Sequence, residues 1–247
     1  MNDKYLGIIL KQSDYKDNDA IISVLLKGLG RFSLSCKGVR KLTSKNSMNI
    51  RPFLSSELIF DYNENKTMFS LKNASTVKNR RYIHEDIIKM SLSSLICQIV
   101  DLTIHNDDIY IIDEAYKILD FILDKMNEDK HEILLTCLFI ALFLKLLGIN
   151  PNVDECTLCS NKKVVGISIE EGGFVCEDCF NKTTIYDGIN VDNIRKFRII
   201  NKAELINYEK LCEIDEYNKT DLDILVKFFE FHFEIKLKSY EFVSVLL

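Results

Sequence analysis

Up to about residue 76, apolar and polar positions alternate with period two in short runs, the pattern of strands buried on one face. Five runs follow one another: Tyr5–Lys11, Asp19–Leu26, Arg31–Cys36, Phe53–Tyr62 and Met68–Ala74. Lys27-Gly28-Leu29-Gly30 joins the second to the third with residues that tolerate positive φ, and Asn63-Glu64-Asn65-Lys66 joins the fourth to the fifth with turn formers. A long connection, Lys37 to Pro52, separates the third run from the fourth. Five strands with that spacing predict a small closed barrel of the oligonucleotide-binding (OB) type, with an SH3-like barrel or an open sheet as the alternatives.

Beyond Arg81 the apolar positions fall at steps of three and four. In His84–His105 a stripe of Ile87, Ile88, Ser91, Leu92, Leu95, Ile99 and Leu102 predicts a helix, with Glu85 and Asp86 favourable in its first turn. Asp108–Met126 follows, with Ile112, Ala115, Tyr116, Leu119 and Ile122 on one face. His131–Leu147 is apolar nearly all round, which marks a central buried helix; Gly148 can cap it and Pro151 prevents its continuation. Helical spacing returns over Asn190–Ile200 and Lys202–Glu213, and Thr220 is placed to cap a last helix reaching about Lys238. The fold class is α+β, an N-terminal five-stranded OB-type barrel followed by a helical bundle with an inserted four-cysteine zinc module. The domain boundaries are 1–80 for the barrel, 81–150 with 185–247 for the helical domain, and 151–184 for the module.

Composition adds exclusions. Nine glycines, two prolines and 47% apolar residues in 247 rule out collagenous and disordered classes. The longest apolar stretch, Ile133 to Leu144, falls short of the ~20 residues a bilayer span needs. Met1-Asn2-Asp3-Lys4 leads into an alternating segment rather than the apolar core of a signal peptide, so a cytoplasmic location is expected. In that compartment the eight cysteines are not a disulfide framework.

The net charge of −5 conceals two opposite parts. Residues 1–81 hold 15 basic and 7 acidic residues, a net +8, and the remaining 166 hold 17 and 30, a net −13. Between Ala20 and Ser56 no acid occurs, whereas Lys27, Arg31, Lys37, Arg40, Lys41, Lys45 and Arg51 supply seven positive charges. Such a window inside an acidic protein points to an anionic partner, with a merely solvated surface as the alternative. Gly38 and Ser44 would let backbone N–H groups approach a phosphate in the same segment. Phe32, Phe60, Tyr62 and Phe69 alternate along neighbouring strands, where the barrel core competes with base stacking for them. Lys78-Asn79-Arg80-Arg81 either extends the phosphate track or solvates the junction.

The strongest chemical signal is Cys156-x2-Cys159-x16-Cys176-x2-Cys179. Each C-x-x-C can turn two sulfurs toward one ion, and a hairpin of Val164–Ile169 and Phe174–Val175 about Glu171-Gly172-Gly173 brings the pairs together. Four thiolates leave no position for water, so one structural zinc ion is the expectation, against iron–sulfur or metal-free thiols. Cys36, Cys97, Cys137 and Cys212 lie on apolar runs and read as core thiols. His84, His105, His131 and His232 show neither ligand nor triad spacing, His232 reading as a satisfied core group, and no catalytic constellation is present.

Taken together these residues resemble the bacterial recombination mediator family RecO. The similarity runs through Gly7-Ile8-Ile9-Leu10-Lys11, Asp14-Tyr15 and Asp19, then Leu29-Gly30-Arg31-Phe32, Lys37-Gly38-Val39-Arg40-Lys41 and Pro52-Phe53. It continues in the four cysteines, Gly172-Gly173 and the ending Leu237-Lys238-Ser239-Tyr240-Glu241-Phe242. The resemblance implies ATP-independent binding and annealing of single-stranded and duplex DNA by a non-enzymatic protein of the RecF pathway. It implies assembly with RecR, binding of the acidic C-terminal tail of single-strand-binding protein, and loading of RecA onto coated strands. It also implies DNA contact by Lys37, Arg40 and Lys41; Lys27, Arg31, Lys45 and Arg51 rest on charge alone. Two other readings stand beside it: a protein-interaction scaffold without DNA binding, and a zinc hydrolase with an open coordination position.

Overall fold

The computed structural model describes residues 4–63, 66, 68–105, 108–128, 130–214 and 216–247; Glu64 and Asn65 of the expected turn lie outside them. The chain forms two compact units, 1–128 and 129–247.

In the first unit β1 (Lys4–Tyr15), β2 (Asp19–Leu26), β3 (Gly30–Cys36), β4 (Ser55–Phe60) and β5 (Met68–Lys78) close a barrel in the order β1-β2-β3-β5-β4. Every neighbouring pair is antiparallel except β3 and β5, which run parallel through Ser33–Ser35 and Met68–Ser70. A bulge between Ile9 and Lys11 bends β1, so that its first half pairs with both β2 and β4 while its second half continues along β2 alone. Alternation turns Ile9, Ile22, Val24, Leu34, Leu58 and Phe60 into the barrel, all fully buried. At Gly7 the two strands pass so closely that a Cβ would meet Val24 Cγ2 at 2.5 Å and Leu26 Cδ2 at 2.8 Å. The five strands foreseen from alternation are all present, β1 and β5 each running four residues further.

Two helices complete this unit. A 3-10 turn, Arg81–Glu85, precedes α1 (Ile87–Thr103), and α1 packs on β1 and β2. Asp86 lies before the helix rather than in its first turn, its carboxylate accepting from the N–H groups of Ile88 at 2.8 Å and Lys89 at 3.0 Å. α2 (Ile109–Glu128) offers Asp120 and Asp124 one turn apart, and these receive the junction cations. Arg80, 2% exposed, donates from Nε to Asp124 at 2.7 Å and from Nη1 to the Phe53 carbonyl at 2.8 Å and Ser55 Oγ at 3.0 Å. Its Nη2 pairs with Asp120, and Lys78 bridges both carboxylates at 2.7 Å. Arg81 pairs with Glu85. The junction is thus a polar clamp, its basic side chains held by acids of the same unit.

In the second unit α3 (Glu132–Leu146) buries every residue from Leu134 to Leu144 and packs on α4 (Val191–Lys202) and α6 (Lys219–Phe233). Between α3 and α4 lie β6 (Val164–Ser168) and β7 (Gly173–Cys176), an antiparallel pair. After α4 the chain makes a 3-10 turn, Leu205–Asn207, so α5 is short, Tyr208–Ile214, where apolar spacing alone predicts a continuous helix from Lys202. Asn218, not Thr220, caps α6: its side chain accepts from Thr220 N–H at 2.9 Å, and Asp221 Oδ2 accepts from Asn218 N–H at 3.0 Å to close a capping box. α6 also stops earlier than its spacing predicts, because Glu234 turns into the left-handed region at φ 53°; α7 (Lys238–Leu246) then begins separately. Lys196 of α4 reaches the Glu216 carbonyl at 2.6 Å, Asp192 at 3.0 Å and Asp221 at 3.4 Å, fastening α4 to the start of α6. Among the described residues no helix is long and apolar enough to cross a membrane.

Candidate metal centre and nucleic-acid interface

The four-cysteine module is built from two turns and a hairpin. In the first turn Ser160 N–H donates to the Cys156 carbonyl at 2.8 Å and Cys156 N–H to the Asn161 carbonyl at 2.9 Å, with Ser160 at φ 59°. In the second, Cys176 ends β7 and the 3-10 turn Glu177–Lys182 carries Cys179. The approach segment is stitched to the hairpin: Asn152 N–H donates to the Gly172 carbonyl and Phe174 N–H to the Asn152 carbonyl, each at 2.9 Å. Only glycine fits at position 173, where a Cβ would stand 2.3 Å from the Asn152 carbonyl oxygen.

The ligand atoms of Cys156, Cys159, Cys176 and Cys179 all lie within 4.8 Å of one another, and the Cys159 and Cys176 sulfurs are 3.5 Å apart. A tetrahedral ion with metal–sulfur bonds of about 2.3 Å separates its sulfurs by about 3.8 Å, so the cluster fits one thiophilic ion. Burial opposes ionisation of Cys156, yet the N–H groups of Cys176, Leu158 and Cys159 outweigh it and bring the thiol down to about 6. Burial and the neighbouring cysteines push Cys179 up to about 12. One negative charge is thus accommodated by the backbone, whereas four need a cation among them. Of the other cysteines, Cys36, Cys97 and Cys137 are buried, burial pushing Cys36 and Cys97 up to about 12; Cys212 on α5 is half-buried.

The cations expected to face an anion do not form one patch. Lys37, Arg40 and Lys41 stand exposed at the end of the barrel where β1 turns into β2. Gly38, at φ 64°, makes the first bend of the connection, with Lys41 N–H donating to its carbonyl at 3.2 Å and Ser44 N–H to the Lys41 carbonyl at 2.9 Å. The β1–β2 turn holds this bend: Asp19 Oδ1 accepts from Gly38 N–H at 2.7 Å, and the Asn18 carbonyl accepts from Arg40 N–H at 3.0 Å. Arg40 Nη2 also lies 3.1 Å from Asp14 Oδ2. Lys37, Lys41 and Lys45 have no ion-pair partner among the described residues. Beyond Lys45 the connection lies along β5, where Asn46 Oδ1 accepts from Ala74 N–H at 3.0 Å and Asn49 Oδ1 from Thr76 Oγ1 at 2.8 Å.

The remaining three sit elsewhere. Lys27 occupies the β2–β3 turn at the opposite end of the barrel, and Arg31 on β3 donates from Nε to Asp101 of α1 at 2.7 Å. Arg51 is half-buried; its guanidinium adds to burial in holding the His84 imidazole below its ordinary range. Phe32, Phe60 and Phe69 fill the barrel, whereas Tyr62 is 41% exposed and stacks on Phe69 with ring centroids 5.5 Å apart. The His232 ring is half-buried, and its Nε2 is buried with no hydrogen-bond partner among the described residues, so this imidazole is not the fully satisfied core group that its flanking phenylalanines predict.

Sequence alone marks neither Lys16 nor Tyr15 as a candidate contact, Tyr15 entering only through the RecO resemblance. Both are exposed, Tyr15 at the end of β1 and Lys16 in the turn that follows, the ammonium 5.2 Å from the ring centroid, and the Lys16 carbonyl accepts from Arg40 Nη1 at 3.5 Å. Linear charge counting misses them because Asp14, Asp17 and Asp19 surround them in the chain. The barrel topology, which brings the first and third connections to one end, is the signal that finds them.

Residues 1–80 match the family model "Recombination protein O N terminal", and residues 84–241 match "Recombination protein O C terminal". The chain is similar to the DNA repair protein RecO of Halalkalibacterium halodurans, 22% identical over 97% of this chain and 93% of that one. The RecO of Bacillus subtilis is also 22% identical, over 96% and 92%, and that of Clostridium perfringens 25% identical over 85% and 84%.

Proposed function

The chain belongs to the RecO family of DNA repair proteins, and from that membership we propose that it is a non-enzymatic mediator that binds and anneals single-stranded DNA and helps load RecA onto strands coated by single-strand-binding protein. The observation that carries the reading is the bend at Gly38, which presents Lys37, Arg40 and Lys41 together on an exposed connection. Cations there neutralise phosphates and release their condensed counterions. Screening two strands at once lowers their mutual repulsion, so complementary bases can meet without nucleotide hydrolysis. Duplex DNA offers the same phosphates and is a second ligand. Lys45 and Lys16 extend the contact; Lys27 and Arg51 are secondary, and Arg31 contributes only by leaving Asp101.

In this reading the barrel, 1–80, is the nucleic-acid-binding domain, and 151–184 is a module inserted in a helical domain of 81–150 and 185–247. Cys156, Cys159, Cys176 and Cys179 hold one zinc ion, which supplies a crosslink between the two turns. RecR and the acidic tail of single-strand-binding protein are the protein partners, and RecA is served indirectly, in the cytoplasm at the nucleoid. The test is annealing of complementary oligonucleotides, bare and coated with purified single-strand-binding protein, without ATP and across a salt series. Annealing of both substrates that declines with salt is the expected result. No acceleration at any salt, with the chain folded, favours a scaffold without DNA binding and overturns the proposal.

A further inference from the structure

The acid-free window of the sequence is not acid-free in space. Asp14 near the end of β1 and Asp19 at the start of β2 flank the β1–β2 turn, and both carboxylates contact the basic connection, one at its guanidinium and one at its backbone. The two contacts differ in kind. Asp19 Oδ1 accepts from Gly38 N–H at 2.7 Å and is part-buried, a fixed backbone anchor for the bend. Asp14 is 66% exposed and lies 3.1 Å from an Arg40 guanidinium that is itself 40% exposed. An exposed ion pair of this sort contributes little to stability and exchanges readily with solvent anions. Its carboxylate also stands at Nη2, one of the guanidinium donors that a phosphate would take, while Nη1 faces the Lys16 carbonyl.

Resting on the DNA-binding reading of this loop, we propose that Asp14 is an internal phosphate surrogate, a selectivity residue that holds Arg40 oriented in the free protein and is displaced from it by a DNA phosphate, while Asp19 is the positioning residue that fixes the bend. The two acids therefore act with opposite sign. Asp14 lowers affinity, because each bound phosphate must first displace it, and its charge remains nearby to repel anions that do not engage Arg40 closely. Asp19 raises affinity, because its bond to Gly38 holds Lys37 and Lys41 on one side of the barrel end.

The experiment measures binding of the full chain to a fluorescently labelled oligothymidylate for wild type, Asp14→Asn, Arg40→Ala and the double variant, with folding checked by circular dichroism. Asp14→Asn is expected to bind about two- to fivefold more tightly, and this gain is expected to vanish in the Arg40→Ala background. A general charge effect would instead leave the gain intact, and weaker binding by Asp14→Asn would make Asp14 structural; either result overturns the proposal. For Asp19, the alanine variant is expected to bind about fivefold more weakly, while Asp19→Asn, which keeps the acceptor, stays within about twofold of wild type. Equal loss in both Asp19 variants contradicts the positioning role. Wild type that fails to bind the oligonucleotide at low salt is failure of the DNA reading itself, and is thereby distinguished from failure of the surrogate.

Discussion

Arg80 is the largest side chain that the first unit buries fully among the described residues, and its contacts explain how. A buried guanidinium is tolerable only when its donors are matched, and here Asp120, Asp124, Ser55 Oγ and the Phe53 carbonyl take them. Removing the cation leaves two neighbouring carboxylates with Lys78 as the remaining cation on them among the described residues. Arg80→Ala is therefore expected to lower unfolding free energy by about 3–5 kcal/mol, read from the urea midpoint, whereas Arg81→Ala, which removes a solvent-screened pair, is expected to leave the midpoint nearly unchanged. The sequence shows Lys78-Asn79-Arg80-Arg81 as a run with three equivalent cations. Nothing in it reveals that Asp120 and Asp124, forty residues away on α2, converge on two of them, because ion pairing across such separations is a product of packing.

At the level of elements, alternation and helical spacing made the barrel strands and the helices legible, since one buried face imposes its period on the residues. Boundaries set by local polar bonds were less so. Asn218 and Thr220 are both competent caps, and the choice of Asn218 follows from Asp221 standing where it can return the bond. The cysteine spacing was legible because two C-x-x-C turns joined by a hairpin bring four sulfurs together. The fit of the hairpin depends on a contact that spacing does not describe, the passage of Gly173 against Asn152. Gly173→Ala must push these segments apart and loosen the stitch that sets Cys156. It is expected to reduce the metal retained per chain after gel filtration, with the change in backbone protection confined to residues 151–184 in hydrogen exchange. Full metal retention in that variant would show that the close passage is not what aligns the two cysteine pairs.

For the whole molecule, the distribution of charge carries more meaning than its sum of −5. A basic first part and an acidic remainder can coexist in one chain because each compact unit pairs many of its own charges, as Arg31 does with Asp101 and Lys196 with Asp221. In the proposed function, the exposed cations of the Gly38 bend are the place of the ligand. Seven cations in an acid-free stretch look equivalent in sequence, but the fold places Lys37, Arg40 and Lys41 at one barrel end, Lys27 at the other, and Arg31 against a carboxylate. It also adds Lys16, which the linear window omits. The most direct test of this account is the salt dependence of single-strand binding by wild type and by Lys37→Ala/Arg40→Ala/Lys41→Ala. Three lost phosphate contacts are expected to weaken binding at low salt and to flatten the slope of log K against log salt by about 2. A slope unchanged by the triple substitution would contradict the assignment of DNA binding to this loop.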